Sequence, residues 1–151
     1  MTPIRYGISA GSLIVKDDQL LLVHHLQQGK FDFWVPPGGS LVGDESIFAC
    51  AQRETFEETG LEVDLGQIIY IQEFVEPGYH FCKFFILCNS FEGQITLTHR
   101  DRNEGFLVDA RFFSREQMVG LTVFPEILKG RFWDELRAGF SKTHYLGLEM
   151  I

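Results

Sequence analysis

The sequence predicts an α+β or layered α/β/α domain built around a mixed β-sheet. Three observations carry that reading. Strand-like apolar runs lie on both sides of one long helical stretch, and a second helical pattern stands near the C-terminus. No internal repeat, low-complexity tract or linker-like segment divides the chain. Residues 1–151 are therefore expected to form a single domain, long enough to bury a core without disulfide or metal staples.

The elements follow in order. Ile8 to Val15 and Leu20 to Leu26 are apolar runs around Lys16-Asp17-Asp18, whose turn chemistry predicts a hairpin. Lys30 to Pro37, carrying Phe31, Phe33 and Trp34, is expected to be a loop. A helix comes next, with Asp44 as its expected N-cap, Glu45 at its positive end and Gly60 as its left-handed terminator. Val63 to Val75 and His80 to Asn89 are rich in Ile, Phe, Val and Tyr and predict two strands joined by a turn at Glu76-Pro77-Gly78. Ile95 to Thr98 is expected to extend the sheet, and Phe106 to Phe113 to add a strand. Ser114-x-x-Gln117 is a capping-box variant that opens a short helix. Pro125 then starts a last helix, with Ile127, Leu128, Phe132, Leu136 and Phe140 at helical spacing. The apolar segment Tyr145 to Ile151 is either the edge of a homodimer or a docked terminus.

Composition narrows the class. A hydrophobic fraction of 45% and a mean hydropathy of +0.01 are those of an ordinary globular chain. No apolar run is long enough for a membrane span, and no secretory leader is visible, so no membrane partner is expected. Cys50, Cys82 and Cys88 lack metal-ligand spacing and read as buried thiols in a reducing compartment, which predicts a cytoplasmic location. The net charge of −8 argues against a nucleic-acid polymer as partner.

The helix itself poses an electrostatic problem. Arg53-Glu54-x-x-Glu57-Glu58 sets three carboxylates on one side of it, because positions three and four apart share a face. Like charges so placed destabilise a bare helix by roughly 0.2–0.5 kcal/mol per pair. A solvated acidic surface is the plain reading. The surroundings favour a cation-binding one: Pro36-Pro37-Gly38-Gly39 precedes the stripe, Glu45 opens it, Arg53 sits within it and Gly60 closes it. Gly38 and Gly39 allow a close backbone approach, and Arg53 is suited to orient Glu45 or a neighbouring Glu through forked bonds.

The run Gly39-x5-Glu45-x7-Arg53-Glu54-x2-Glu57-Glu58-x-Gly60-Leu61 resembles the Nudix box. It departs only at Thr55, where the family usually has an aliphatic side chain that packs in the core. The resemblance implies a Nudix-type α/β/α sandwich and a hydrolase that cleaves the phosphoanhydride of a small nucleoside diphosphate derivative. It implies Mg²⁺, or Mn²⁺ in its place, with Glu57 and Glu58 as direct ligands. Glu54 is left as either ligand or base, and the Gly38 carbonyl as a further donor. Mg²⁺ suits oxygen donors of this kind and shares itself with substrate phosphates.

A carboxylate from outside the box is also expected. Glu104 is the candidate by position, with Asp101, Glu73 and Glu76 as rivals. Gly39, Phe33, Trp34 and Tyr79 are candidate substrate contacts, and Phe81 is a further ring to test. His24, His25, His80 and His99 are phosphate or base contacts or, more commonly, structural. Pro77 and Tyr79 stand where different Nudix subfamilies carry marker residues, and the two hints cancel. Three functions stay open: a pyrophosphohydrolase of ADP-ribose or a nucleotide sugar, a nucleoside triphosphate pyrophosphatase, and a non-catalytic ligand sensor. An isomerase use of the fold is a remoter alternative.

Overall fold

The computed structural model describes residues 3–151. The first apolar run divides between two sheets: β1 (Arg5–Leu13) enters a five-stranded sheet, and after Ile14 the chain turns into β2 (Val15–Lys16) of a second one. The predicted hairpin is the one between β2 and β3 (Gln19–Gln27). It closes over Asp17 (φ 52°) and Asp18 (φ 58°), the doubly left-handed backbone of a type I′ turn, which short polar side chains tolerate.

The expected loop at Lys30 to Pro37 is instead mostly strand. β4 (Phe31–Val35) pairs antiparallel with β3, setting Phe33 opposite His25 and Trp34 opposite His24. Cross-strand stacking explains it, for each of these pairs lies ring on ring, at 5.2 Å and 4.2 Å between centroids. β5 (Gly38–Ser40) follows and pairs with β1, matching Gly38 to Gly11.

The helix α1 (Ile47–Thr59) starts later than expected. Its N-cap is Ser46, whose Oγ accepts the Ala49 N–H at 3.0 Å, so neither Asp44 nor Glu45 belongs to it. Gly60, at φ 77°, ends it as predicted, and its N–H returns to the Phe56 carbonyl at 2.8 Å. Ile95 to Thr98 forms no strand. Thr96 spends its N–H on the Thr59 carbonyl at 2.9 Å, an acceptor the helix end leaves open.

β6 (Glu62–Glu76) and β7 (Tyr79–Glu92) form the predicted long hairpin, and β8 (Leu107–Phe113) pairs with β3. The Ser114/Gln117 box closes in both directions, at 2.8 and 3.2 Å, around a turn of 3-10 helix at Glu116–Met118. The last helix is broken. A 3-10 turn spans Glu126–Lys129, Gly130 lies off helical geometry, and α2 (Arg131–Ala138) follows, which leaves Phe140 beyond its end. β9 (His144–Met150) docks parallel along β6 as an edge strand with Tyr145, Leu148 and Met150 exposed.

The larger sheet runs β5-β1-β7-β6-β9, with β1 and β7 parallel although some 75 residues apart in sequence. α1 covers one face through Ala10, Cys50, Ala51 and Ile86. The second sheet and α2 cover the other, where Tyr70, Phe85, Trp133 and Phe132 fill the main core. The result is the predicted α+β sandwich around a mixed sheet. Among the described residues, no helix is long and apolar enough to cross a membrane.

Candidate functional site

Arg53 organises the acidic face. Its guanidinium forks onto Glu45, with Nη2 to Oε1 at 2.7 Å and Nε to Oε2 at 3.1 Å. Nη1 reaches Glu54 at 2.9 Å and Glu57 at 3.3 Å, and Nη2 also donates to the Ser40 carbonyl at 3.2 Å. Glu45 accepts the Val42 N–H as well, and Arg53 holds its carboxyl down at about 2. The late start of α1 makes this possible: Glu45 lies outside the helix, on the approach to its N-cap, and bends back over the helix toward Arg53.

Beyond Arg53 three carboxylates converge. Glu54, Glu58 and Glu104 each bring a carboxylate oxygen within 4.8 Å of the others. Glu58 is buried, and its Oε1 accepts the Gly38 N–H at 2.9 Å. Burial, then the charge of Glu104, raises its pKa well above the ordinary value. Burial likewise raises Glu54, against the pull of Arg53. Glu104 sits in a 3-10 turn at Arg102–Glu104, and burial followed by the charges of Glu54 and Glu57 pushes it up to about 7. Glu54 Oε2 and Glu104 Oε2 are buried without a hydrogen-bond partner, two of three such side-chain atoms among the described residues.

Desolvated acceptors converging without a donor are costly. Hard oxygen donors so arranged fit a divalent cation. The glycines belong to the same construction. A side chain on Gly39 would begin 2.7 Å from the Glu54 carboxyl carbon, and one on Gly38 would begin 2.4 Å from the Ala10 carbonyl. Gly38 donates its N–H to Glu58 at this cluster. Glu57 stands outside the cluster, 30% exposed and turned to Arg53. Of the rivals to Glu104, Glu73 bonds His80 and Tyr145 instead, and the Asp101 side chain caps the Asn103 N–H. Thr55 is fully buried as its position demands, its hydroxyl donating to Ser12 at 2.8 Å.

The aromatic candidates scatter. Trp34 is buried in the core, edge-on to Phe113 and face-on to His24, so it offers no ring to a ligand. Tyr79 starts β7 with its ring over Gly7 of β1. His99 stacks on Phe56 and His25 on Phe33, both in structural roles. Phe33 does line a cavity of about 330 Å³ between the sheets, together with Val35, Phe74, Phe81, Phe124 and Lys83.

Lys83 is the residue that sequence reasoning missed. It pairs with Ser9 on β1 and Gln72 on β6, and its stem runs beside Gly11, itself against the Pro37 carbonyl. Its ammonium feels the charges of Glu58 and Glu54, while burial lowers its pKa. Strand alternation placed it on a face, but only the parallel β1–β7 pairing brings that face to the acidic cluster. A lysine inside an apolar strand was the available signal.

The acidic cluster and the apolar cavity lie on an α+β sandwich, and both are lined or faced by Lys83. The NUDIX domain model matches residues 5–132, and the chain belongs to that family. The m7GpppN-mRNA hydrolase NUDT17 of Bos taurus is 31% identical over 81 residues, covering 46% of this chain and 27% of that protein. The chain thus spans about a quarter of the length of that curated relative. The MutT protein of Bacillus halodurans superposes with a TM-score of 0.71 at 22% identity, over 95% of this chain and 89% of that one. An ADP-ribose pyrophosphatase from Streptococcus suis superposes with a TM-score of 0.61 at 17% identity, over 95% and 98%. These likenesses establish the shared fold.

Proposed function

We propose that the chain is a Mg²⁺-dependent pyrophosphohydrolase, with Mn²⁺ as a substitute, that cleaves the diphosphate of a nucleoside diphosphate linked to another moiety. The observation that carries this is the convergence of Glu54, Glu58 and Glu104 with two unpartnered oxygens, Glu54 being held by Arg53. A bound cation would supply an activated water and neutralise charge on the leaving phosphate.

The chain's own groups do the rest. Glu58 and Glu104 supply cation oxygens, and Glu57 joins them by giving up its bond to Arg53. Glu54, held by Arg53 through one oxygen, has the other free as a ligand or to take a proton from the attacking water. Arg53, itself forked onto Glu45, holds Glu54 and Glu57 in place. The phosphates are small-molecule phosphates, in keeping with an acidic chain acting in the cytoplasm. ADP-ribose or a nucleotide sugar is the favoured substrate, as the name of the Streptococcus suis neighbour suggests for one of them.

The test is a panel of ADP-ribose, nucleotide sugars and nucleoside triphosphates with Mg²⁺, Mn²⁺ or chelator. Release of nucleoside monophosphate that stops with chelator is expected. No turnover of any member with either metal would overturn the proposal. Turnover of triphosphates alone would move it to nucleotide-pool clearance.

A further inference from the structure

The larger sheet has one face that α1 covers only in part, through Ala10 and Ile86. Beyond the helix, one cross-strand row runs from Ile8 through Cys82 and Glu73 to Leu148, and the next runs from Tyr6 through His80 to Met150. Strand alternation puts Tyr6 and Ile8 on the same side as Ala10. The ends of these rows stand in solvent: Tyr6 is 76% exposed and Met150 72%, Tyr145 beside them is 61% exposed, and Ile8 and Leu148 are about half exposed.

The edge strand β9 is shaped to make this so. Its period alone would turn Tyr145, Gly147 and Glu149 to one side. Gly147, at φ 100°, stands instead where the register breaks, and pairing resumes with Leu148 opposite Glu73 and Met150 opposite Val75. The bulge turns Leu148 and Met150 outward with Tyr145, while the Glu149 carboxylate faces in and accepts from the Gln72 amide at 3.3 Å. Showing two apolar side chains to water and turning a carboxylate inward inverts the ordinary preference.

The face is also nearly free of open charge, in a chain of net −8. Glu73, the one acid in these rows, is engaged at both oxygens: His80 Nε2 lies 2.7 Å from one, and the Tyr145 hydroxyl donates to the other at 2.7 Å. The rows hold no Lys or Arg, so an anionic membrane or an acidic protein finds no counter-charge there, and a basic protein finds no free carboxylate. At roughly 200 Å² for a large side chain fully exposed, the five exposed residues and the half-buried floor between them offer about 800 Å², one partner's share of a standard interface.

We propose that this face docks a second copy of the chain, sheet against sheet about a two-fold axis. Two such acidic chains meet through the surface whose one acid is already paired, and Tyr6 and Tyr145 are anchors of the kind that dominate interface centres. The face carries the contact, not the open backbone edge of β9. The inference is independent of the proposed reaction.

Sedimentation of the native chain from about 0.1 to 100 µM is the test. At the upper end the chain should sediment at twice its 17.3 kDa mass, and it should dissociate on dilution. Y6E and M150E sit at opposite ends of one row, and each should weaken association by at least about 10-fold. Both should melt with the native chain at the lowest concentration, because both side chains are already exposed. If Y6E melts lower there, Ile8→Gln on the neighbouring row takes its place with the same expected loss. Val119→Glu, at an apolar side chain 77% exposed outside these rows, controls for added charge. A native chain still monomeric at about 100 µM overturns the proposal. Loss of association in M150E alone would mean pairing of β9 edges and overturns the face, as does equal weakening by V119E.

Discussion

Exchanging Glu58 for Gln separates the fold from the chemistry at one atom. The Gln carbonyl keeps the 2.9 Å bond from the Gly38 N–H, so the turn before α1 is undisturbed. What disappears is a buried carboxylate whose pKa is raised by burial and by Glu104. What appears is an amide N–H₂ facing the unpartnered oxygens of Glu54 and Glu104. An unsatisfied buried polar group costs about 1–3 kcal/mol, so E58Q should stabilise the metal-free protein by about 2 kcal/mol. At this chain length that raises the melting midpoint by about 4–8 °C. On the proposed function, bound Mg²⁺ would act in the opposite sense. At one hundred times its Kd it adds about 2.7 kcal/mol to the native fold, and E58Q should lose most of that gain along with turnover. Scanning calorimetry in chelator and in Mg²⁺ reads both quantities. A variant that melts at or below the native protein in chelator, or that keeps the full Mg²⁺ shift, refutes the reasoning.

Other consequences are testable on the same protein. R53K keeps the charge but loses the fork onto Glu45, and groups that orient metal ligands are typically worth about 10- to 100-fold in activity; an unchanged rate would leave Arg53 a purely surface role. Glu104 keeps its proton up to about 7 when folded and releases it near 4.5 when unfolded. The folded state therefore binds more protons between those values, and metal-free stability from this group falls as pH rises from 4.5 to 7 and then levels off. Melting curves of the native chain and E104Q across that range should diverge accordingly, and parallel curves would remove the assigned shift. Thr55→Val strands the buried Ser12 hydroxyl and should cost about 1–3 kcal/mol. Adding Ser12→Ala should recover most of it, and denaturant midpoints that show no recovery would mean the two hydroxyls are independent.

How much was legible depends on sequence distance. The α1 segment was read nearly whole, because Gly60, Arg53 and the Glu spacing act within a few helical turns. Its start was misread because Asp44 and Ser46 are equally good caps by type. Only the tertiary pull of Arg53 on Glu45 decides between them. Ile95 to Thr98 looked like strand by composition but is held by the carbonyl at the end of α1. Phe31 to Val35 looked like loop because its partner, β3, is reached only through rings that stack across strands. Lys83 showed only as a lysine inside an apolar strand, since its neighbours Ser9, Gln72 and Gly11 are assembled by pairing over long separations. Trp34 and Tyr79 shared the aromatic signal of Phe33, and alternation alone does not say which ring a cavity will meet.

The parallel pairing of β1 with β7 also bears on the order in which this molecule assembles. Nine consecutive register pairs, Arg5 with Tyr79 through Leu13 with Leu87, must close a long loop before they return any energy. α1 can form early and locally, with Glu54 and Glu58 still in water. Glu104 reaches them only when the segment after β7 is laid down, late in that sequence. The repulsion among the three carboxylates is then largely absent from the folding barrier and present in the finished protein. Removing it should slow unfolding far more than it speeds folding. The acidic site is in this sense a spring loaded by the last step of folding, and a cation that binds there acts as its latch.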